Sequence, residues 1–183
     1  MSLSNLLHGT KVRLTALTST DLPTVARWHE NGKYLRLFDA LPARPKSQAE
    51  LARRLEERQK ETHVFLFGIR LLDGDDLIGV LELDGILWAH QVGWLSIGIG
   101  DRDNWGKGYG YQAVQLALKF AFHELNLHRL QLTVFSYNDR AIALYEKLGF
   151  QREGTYREFL ERDGRRYDMY LYGLLRHEWE RER

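Results

Sequence analysis

The sequence predicts a mixed α/β (α+β) fold in a single domain over residues 1–183, with a mostly antiparallel sheet. Period-two apolar runs outnumber helical ones. Short turns join the runs between His63 and Gly100, as antiparallel neighbours require. One helical stretch, Tyr111–Asn126, stands between two such runs and implies a local parallel pair.

Lys11–Leu17 alternates Val12, Leu14 and Ala16 with polar neighbours and reads as the first strand. Thr20 is placed to cap a helix with Pro23 in its first turn, Leu22, Val25 and Ala26 on one face, and Gly32 as its stop. The proline-bearing stretch Leu41–Pro45 precedes a capping box, Ser47-Gln48-Ala49-Glu50, which opens a charged helix with Leu51 and Leu55 inward. Strands follow at His63–Leu72, Leu77–Trp88 and Gln91–Gly100, the first closed by the turn Asp73-Gly74-Asp75. After the Tyr111–Asn126 helix come a strand at Arg129–Tyr137 and a short helix at Ala141–Leu148 stopped by Gly149. Phe150–Glu161 and Arg165–Leu174 flank the hairpin turn Asp163-Gly164. The charged tail from Arg176 reads as solvated.

Lys plus Arg number 26 against 25 Asp plus Glu, too balanced for a nucleic-acid backbone as the main partner. The chain has no cysteine, which excludes disulfides, thiolate zinc sites and a cysteine nucleophile. Its histidines lack ligand spacing, so no metal is expected. Neither a signal peptide nor a bilayer-length apolar run stands out, and a cytoplasmic protein off the membrane is the expectation.

Asn104-Trp105-Gly106-Lys107-Gly108-Tyr109-Gly110 lies between a strand and a helix. Its glycines free backbone N–H groups to converge, and the helix start adds a positive dipole end, a combination that suits phosphate. It is not an NTPase phosphate loop, because Gly108 stands where Ser or Thr is needed, nor a dinucleotide fingerprint, because Tyr111 replaces the last glycine.

Trp105–Gly110 resembles the pyrophosphate loop of the GNAT acetyltransferase superfamily, Gln/Arg-x-x-Gly-x-Gly/Ala, and Asn138–Phe150 resembles that family's Asn-x-x-Ala-x-x-Leu-Tyr-x-x-x-Gly-Phe. The likeness leans to the Rim-type ribosomal-protein and spermidine acetyltransferases. It implies a seven-stranded sheet with a splayed central pair, about four helices, acetyl-CoA as co-substrate and no metal. The reaction implied is acetyl transfer to a primary amine (a protein N-terminus, a polyamine or another small amine) by direct attack on the thioester. The other function class is a CoA-binding sensor without catalysis. Monomer and homodimer are both compatible.

By the same resemblance, cofactor contacts fall on Ile97, Gly98, Ile99, Trp105, Gly106, Lys107, Gly108, Tyr109, Gly110, Asn138 and Tyr145. Ile99 lies near the oxyanion donor, and Trp105 departs from the family's Gln/Arg. Glycines inside Ser96–Gly100 mark a close backbone approach. Tyr145 matches the family's tyrosine, a phenol that stays protonated near neutral pH and can protonate a departing thiolate. The family's strand glutamate is missing, since that stretch reads Gly93-Trp94-Leu95-Ser96. Glu82 and Asp84, which alternation puts on one face, and His90 are base candidates, and a water that relays the proton is an equal alternative. Trp28, Tyr34, Phe38, Trp88 and Trp94 are candidates to line an acceptor cleft, with Trp28, Glu82, Asp84 and Trp94 taken as the substrate set.

Overall fold

Buried Val12 and Leu14 alternate with half-buried Arg13 and Thr15 and form β1 (Val12–Ala16) in a computed structural model that describes residues 6–181. The next strands are β2 (Phe65–Leu71), β3 (Leu77–Leu87) and β4 (Val92–Ile99), each antiparallel to the one before. β4 meets β5 (Arg129–Phe135) in parallel, and β5 continues antiparallel to β7 (Arg165–Leu175). The outer neighbour of β7 is β6 (Gln151–Arg162), so the seven-stranded sheet runs β1-β2-β3-β4-β5-β7-β6.

Six α-helices cover its faces among the described residues, against about four expected. The predicted helix ending at Gly32 is two: α1 (Leu22–His29) and α2 (Gly32–Phe38). Gly32 starts the second because the Asn31 side chain accepts from the amides of Lys33 (3.0 Å) and Tyr34 (3.3 Å). Thr18 rather than Thr20 is the cap here, forming a capping box with Asp21 on the short 3-10 turn Ser19–Asp21 that leads into α1. Asp21 is itself buried against Arg70, 2.5 Å away. Ser47 caps α3 (Gln48–Lys60) by accepting from the Glu50 amide at 3.2 Å.

The crossover helix α4 (Tyr109–Lys119) begins two residues before its predicted start and runs into one π turn, Phe120–Glu124. After it comes α5 (Asp139–Lys147). The described part of the tail is not wholly solvated: it forms α6 (Arg176–Arg181), whose Trp179 is buried against Phe122, ring centroids 5.2 Å apart, while His177, Glu180 and Arg181 are exposed. One tryptophan among charges leaves no periodic trace, which is why the sequence hid this contact.

The two faces differ. α4 and α5 pack on one, with Ala113, Ala117, Tyr145 and Leu148 against Leu83, Leu95, Leu130 and Leu132. On the other, α1–α3 press Trp28, Tyr34, Leu35 and Leu55 toward Leu66 and Val80.

Buried in that second layer is His29, whose Nδ1 has no hydrogen-bond partner. Burial, then Lys46 and Arg54, push its pKa down to about 4, while Glu50 and Asp39 pull the other way. The unfolded imidazole has the higher pKa, so between the two values only the unfolded chain holds the proton. Stability from this group is therefore lost as pH falls from about 6.5 toward 4. His29→Leu is expected to show a smaller drop in Tm between neutral pH and about pH 4.5 than wild type. An equal drop would place the acid sensitivity elsewhere.

Candidate active site

β4 and β5 are paired at three positions only, Val92 with Arg129, Gly93 with Leu130 and Trp94 with Gln131. Each strand then keeps its antiparallel partner on the far side, β3 as far as Ile99 and β7 as far as Phe135. The pair parts and leaves a gap. Gly100 donates its N–H to Ile78 O at 2.9 Å, so alternation turns the backbone groups of Gly98 and Ser96 toward β3. Those of Ile97 and Ile99 face the gap, beyond the last β5 pairing.

At the mouth of the gap stands the glycine loop. Gly106 (φ 75) and Gly108 (φ 81) are left-handed, and Gly108 is the N-cap of α4. A side chain at either position would be strained. A methyl group added at Gly110 would touch Ile99 and Leu144 at 3.8 Å and Ile97 at 3.9 Å, so loop, β4 and α5 converge there. Trp105 turns inward and donates its indole N–H to Ile99 O at 2.8 Å, with the Arg140 guanidinium 4.5 Å from its ring centroid. Lys107 leaves its carbonyl to accept from Lys11 Nζ at 3.0 Å. Lys11 was not singled out in the sequence, because it lies about a hundred residues before the loop. Gln112 brings it there: its Oε1 accepts from the Lys11 and Val12 amides at 2.7 and 2.9 Å.

Tyr145 sits on the α4–α5 side of the sheet, its ring edge-on to Phe150 at 5.8 Å. Burial pushes its pKa well above the usual phenol value, so the hydroxyl is protonated across the physiological range. Tyr172 anchors the next residue, donating to the Glu146 carboxylate at 2.8 Å. Asn138 caps α5 by accepting from the Ala141 amide (3.3 Å) and donates to Leu37 O (3.5 Å).

The opposite face carries Glu82 and Asp84 on β3, directly across from Ser96 and Trp94 of β4. Arg58 of α3 binds both carboxylates, Asp84 at 2.8 Å, and also Glu61 at 3.2 Å. Burial raises the Glu82 pKa, with Arg58 opposing. Trp94 lies on this face against Gly85, while Trp28 is core, its indole N–H donated to Asp101 at 3.2 Å. Gly98 is glycine because Tyr34 Oη and Phe38 come within 2.7 Å of where its Cβ would be. The glycines of Ser96–Gly100 thus accommodate α1 and α2, an approach from the packed layer. His90 and Trp88 lie at the opposite end of β4, roughly 20 Å from Ile99 at strand rise, too far to serve this site.

A parallel strand pair that parts beside a left-handed glycine loop leaves unpaired backbone next to a helix start that suits phosphate, an arrangement that fits an acyl-CoA. The model of the acetyltransferase (GNAT) domain family matches residues 11–151, and the chain belongs to that family. It is 26% identical over 174 residues to the N-acetyltransferase p20 of Bacillus licheniformis, covering 94% of this chain and 97% of that one. With the [ribosomal protein uS5]-alanine N-acetyltransferase of Escherichia coli it shares 28% over 127 residues, 68% of this chain and 64% of that. The spermidine N-acetyltransferase of Vibrio cholerae, solved with CoA and spermine, superposes with a TM-score of 0.86 at 26% identity, over 94% of this chain and 99% of that one. The chain is an acetyl-CoA-dependent N-acetyltransferase. No helix among its described residues is long and apolar enough to cross a membrane.

Trp105→Phe removes the indole donor and leaves Ile99 O without it. A stability loss of about 1 kcal/mol is expected in urea unfolding, the usual net value of one such bond. An unchanged midpoint would mean that the bond contributes nothing.

Proposed function

We propose that the protein acetylates a primary amine by direct transfer from acetyl-CoA, in the cytoplasm, with the two substrates reaching the β4–β5 gap from opposite faces. The parting of β4 from β5 carries this reading, because it leaves backbone donors unpaired beside a loop that suits phosphate. The groups present fit the cofactor: amides of Gly106–Gly110 and the dipole of α4 for the pyrophosphate, with Lys11 and Lys107 adding charge. Ile97 and Ile99 offer backbone groups to the pantetheine arm, with Gly98 between them and Trp105 and Tyr109 flanking the phosphates. Acetyl-CoA supplies the activated acetyl group as a thioester.

The chain does the rest. The Ile99 N–H, turned away from β3, would donate to the acyl oxygen as it gathers charge. Glu82, held partly out of water, takes the proton that the amine releases as its nitrogen bonds to the acyl carbon. Tyr145 gives its proton to the sulfur as the carbon–sulfur bond breaks, and regains one from solvent. Asp84 and Trp94 line the acceptor's approach. Asn138 contributes by holding the start of α5, and hence Tyr145, rather than through a free amide. Trp28 supports the site from within the core.

Two variants separate binding from chemistry. Lys11→Met is expected to weaken CoA binding by roughly three- to tenfold in calorimetry, the scale of one exposed charge-assisted contact, with the fold intact. Affinity equal to wild type would remove Lys11 from the loop's function. Tyr145→Phe keeps the ring and should bind CoA normally, while single-turnover acetylation slows about a hundredfold or more. A wild-type rate would take Tyr145 out of the mechanism. A wild-type protein that binds CoA and acetylates no amine would favour the sensor alternative.

A further inference from the structure

Arg140 stands at the mouth of the β4–β5 gap without an acid to hold it. It lies in the first turn of α5, and its guanidinium sits 4.5 Å from the centroid of the Trp105 ring. No carboxylate among the described residues forms an ion pair with it, not even that of its neighbour Asp139. Trp105 follows β4 and Arg140 follows β5, so this contact spans the mouth from one side to the other. Leu144, one helical turn after Arg140 and on the same face of α5, would touch a methyl group added at Gly110, 3.8 Å away. That face is therefore turned toward the glycine loop. The space over the loop is open: a methyl group at Gly106 would meet nothing within 4 Å, and one at Gly108 only Lys11 Nζ at 3.4 Å. Trp105 itself offers an anion no donor, because its single N–H is already given to Ile99 O at 2.8 Å.

We propose that Arg140 is a phosphate ligand of the cofactor, resting on Trp105 until the pyrophosphate arrives and then turning its guanidinium to it. This rests on the acetyl-CoA reading above, and adds a residue of α5 to a site otherwise built from the loop, α4 and Lys11. The relative strength of the two contacts drives the exchange. An exposed guanidinium over an indole is weakly held, whereas on a phosphate it makes two parallel charge-assisted hydrogen bonds. Until then the ring keeps the long side chain extended toward the loop, so less of its freedom remains to be lost on binding. With Arg140 on the pyrophosphate, the cofactor is gripped from both sides of the gap. Tyr145 lies on the same helix, so the contact also steadies the element that carries the proposed proton donor.

The experiment is calorimetry of CoA and of dephospho-CoA, which keeps the pyrophosphate and lacks the 3′-phosphate, against wild type and Arg140→Met at low and high salt. Arg140→Met should weaken both ligands alike, by about tenfold at low salt, the scale of a charge-assisted contact. The difference from wild type should narrow as salt is raised, because screening acts on a charge–charge contact and not on helix packing. Arg140→Gln, which also suits an exposed helix position, is read in the same way where Arg140→Met does not fold. Equal affinity of variant and wild type overturns the proposal and leaves the N-acetyltransferase reading standing. A loss confined to CoA also overturns it, since Arg140 would then serve the 3′-phosphate. A loss that salt does not change makes the role structural, with the same consequence. A wild-type protein that binds neither ligand overturns both this inference and the acetyl-CoA reading.

Discussion

Three residue pairs join β4 to β5, and every functional feature of the molecule is arranged around the point where that pairing stops. The junction is reinforced just before it begins: Gln91 O accepts from the amides of both His128 (2.8 Å) and Arg129 (3.1 Å). Beyond it, each strand is held by its own antiparallel neighbour, so neither loses its ladder when the two diverge. The sheet is therefore two antiparallel units, β1–β4 and β5–β7–β6, hinged at one short parallel seam. Unpaired strand backbone is costly when it is buried and dry. Here it is tolerated because the gap opens toward the glycine loop, where one gap-facing carbonyl, that of Ile99, already has the Trp105 indole as partner.

The same seam explains the crowding of aromatic residues on the opposite face. α2 lies across the gap and is fastened to the second unit by Tyr137, whose hydroxyl donates to Arg36 O at 2.5 Å, and by the Arg36–Asp163 pair. To reach that position it brings Tyr34 and Phe38, stacked at 5.5 Å, directly over Gly98. A side chain at Gly98 would push α2 off the strand. A glycine in β4 thus couples the gap-facing backbone of Ile97 and Ile99 to the seating of α2 on the opposite face.

Much of this was legible in the sequence. Apolar alternation marked β1 and β5, short turns marked β2–β4, and the Asp163-Gly164 turn marked the β6–β7 hairpin, although β6 is exposed along most of its length. The loop and the Asn138–Phe150 segment were legible because left-handed glycines and a helix start need particular residues at fixed spacing. The residues that escaped are those placed by distant contacts. Lys11 reaches the loop only because Gln112 grips the start of β1. Arg58 looks like one more charge on a solvated helix until α3 docks over β3. Gly32 looked like a helix stop, since sequence alone does not show that Asn31 starts a new helix there.

Glu82 shows how burial and pairing combine at this site. Burial alone would favour its neutral form, and Arg58 alone would favour its charged form. With both present burial outweighs Arg58, and the pKa of Glu82 is raised from its ordinary value. Arg58 also contacts Asp84 and Glu61, so three acids converge on one guanidinium. One guanidinium among three acids, on a helix docked over β3, ties the protonation of Glu82 to the packing of α3.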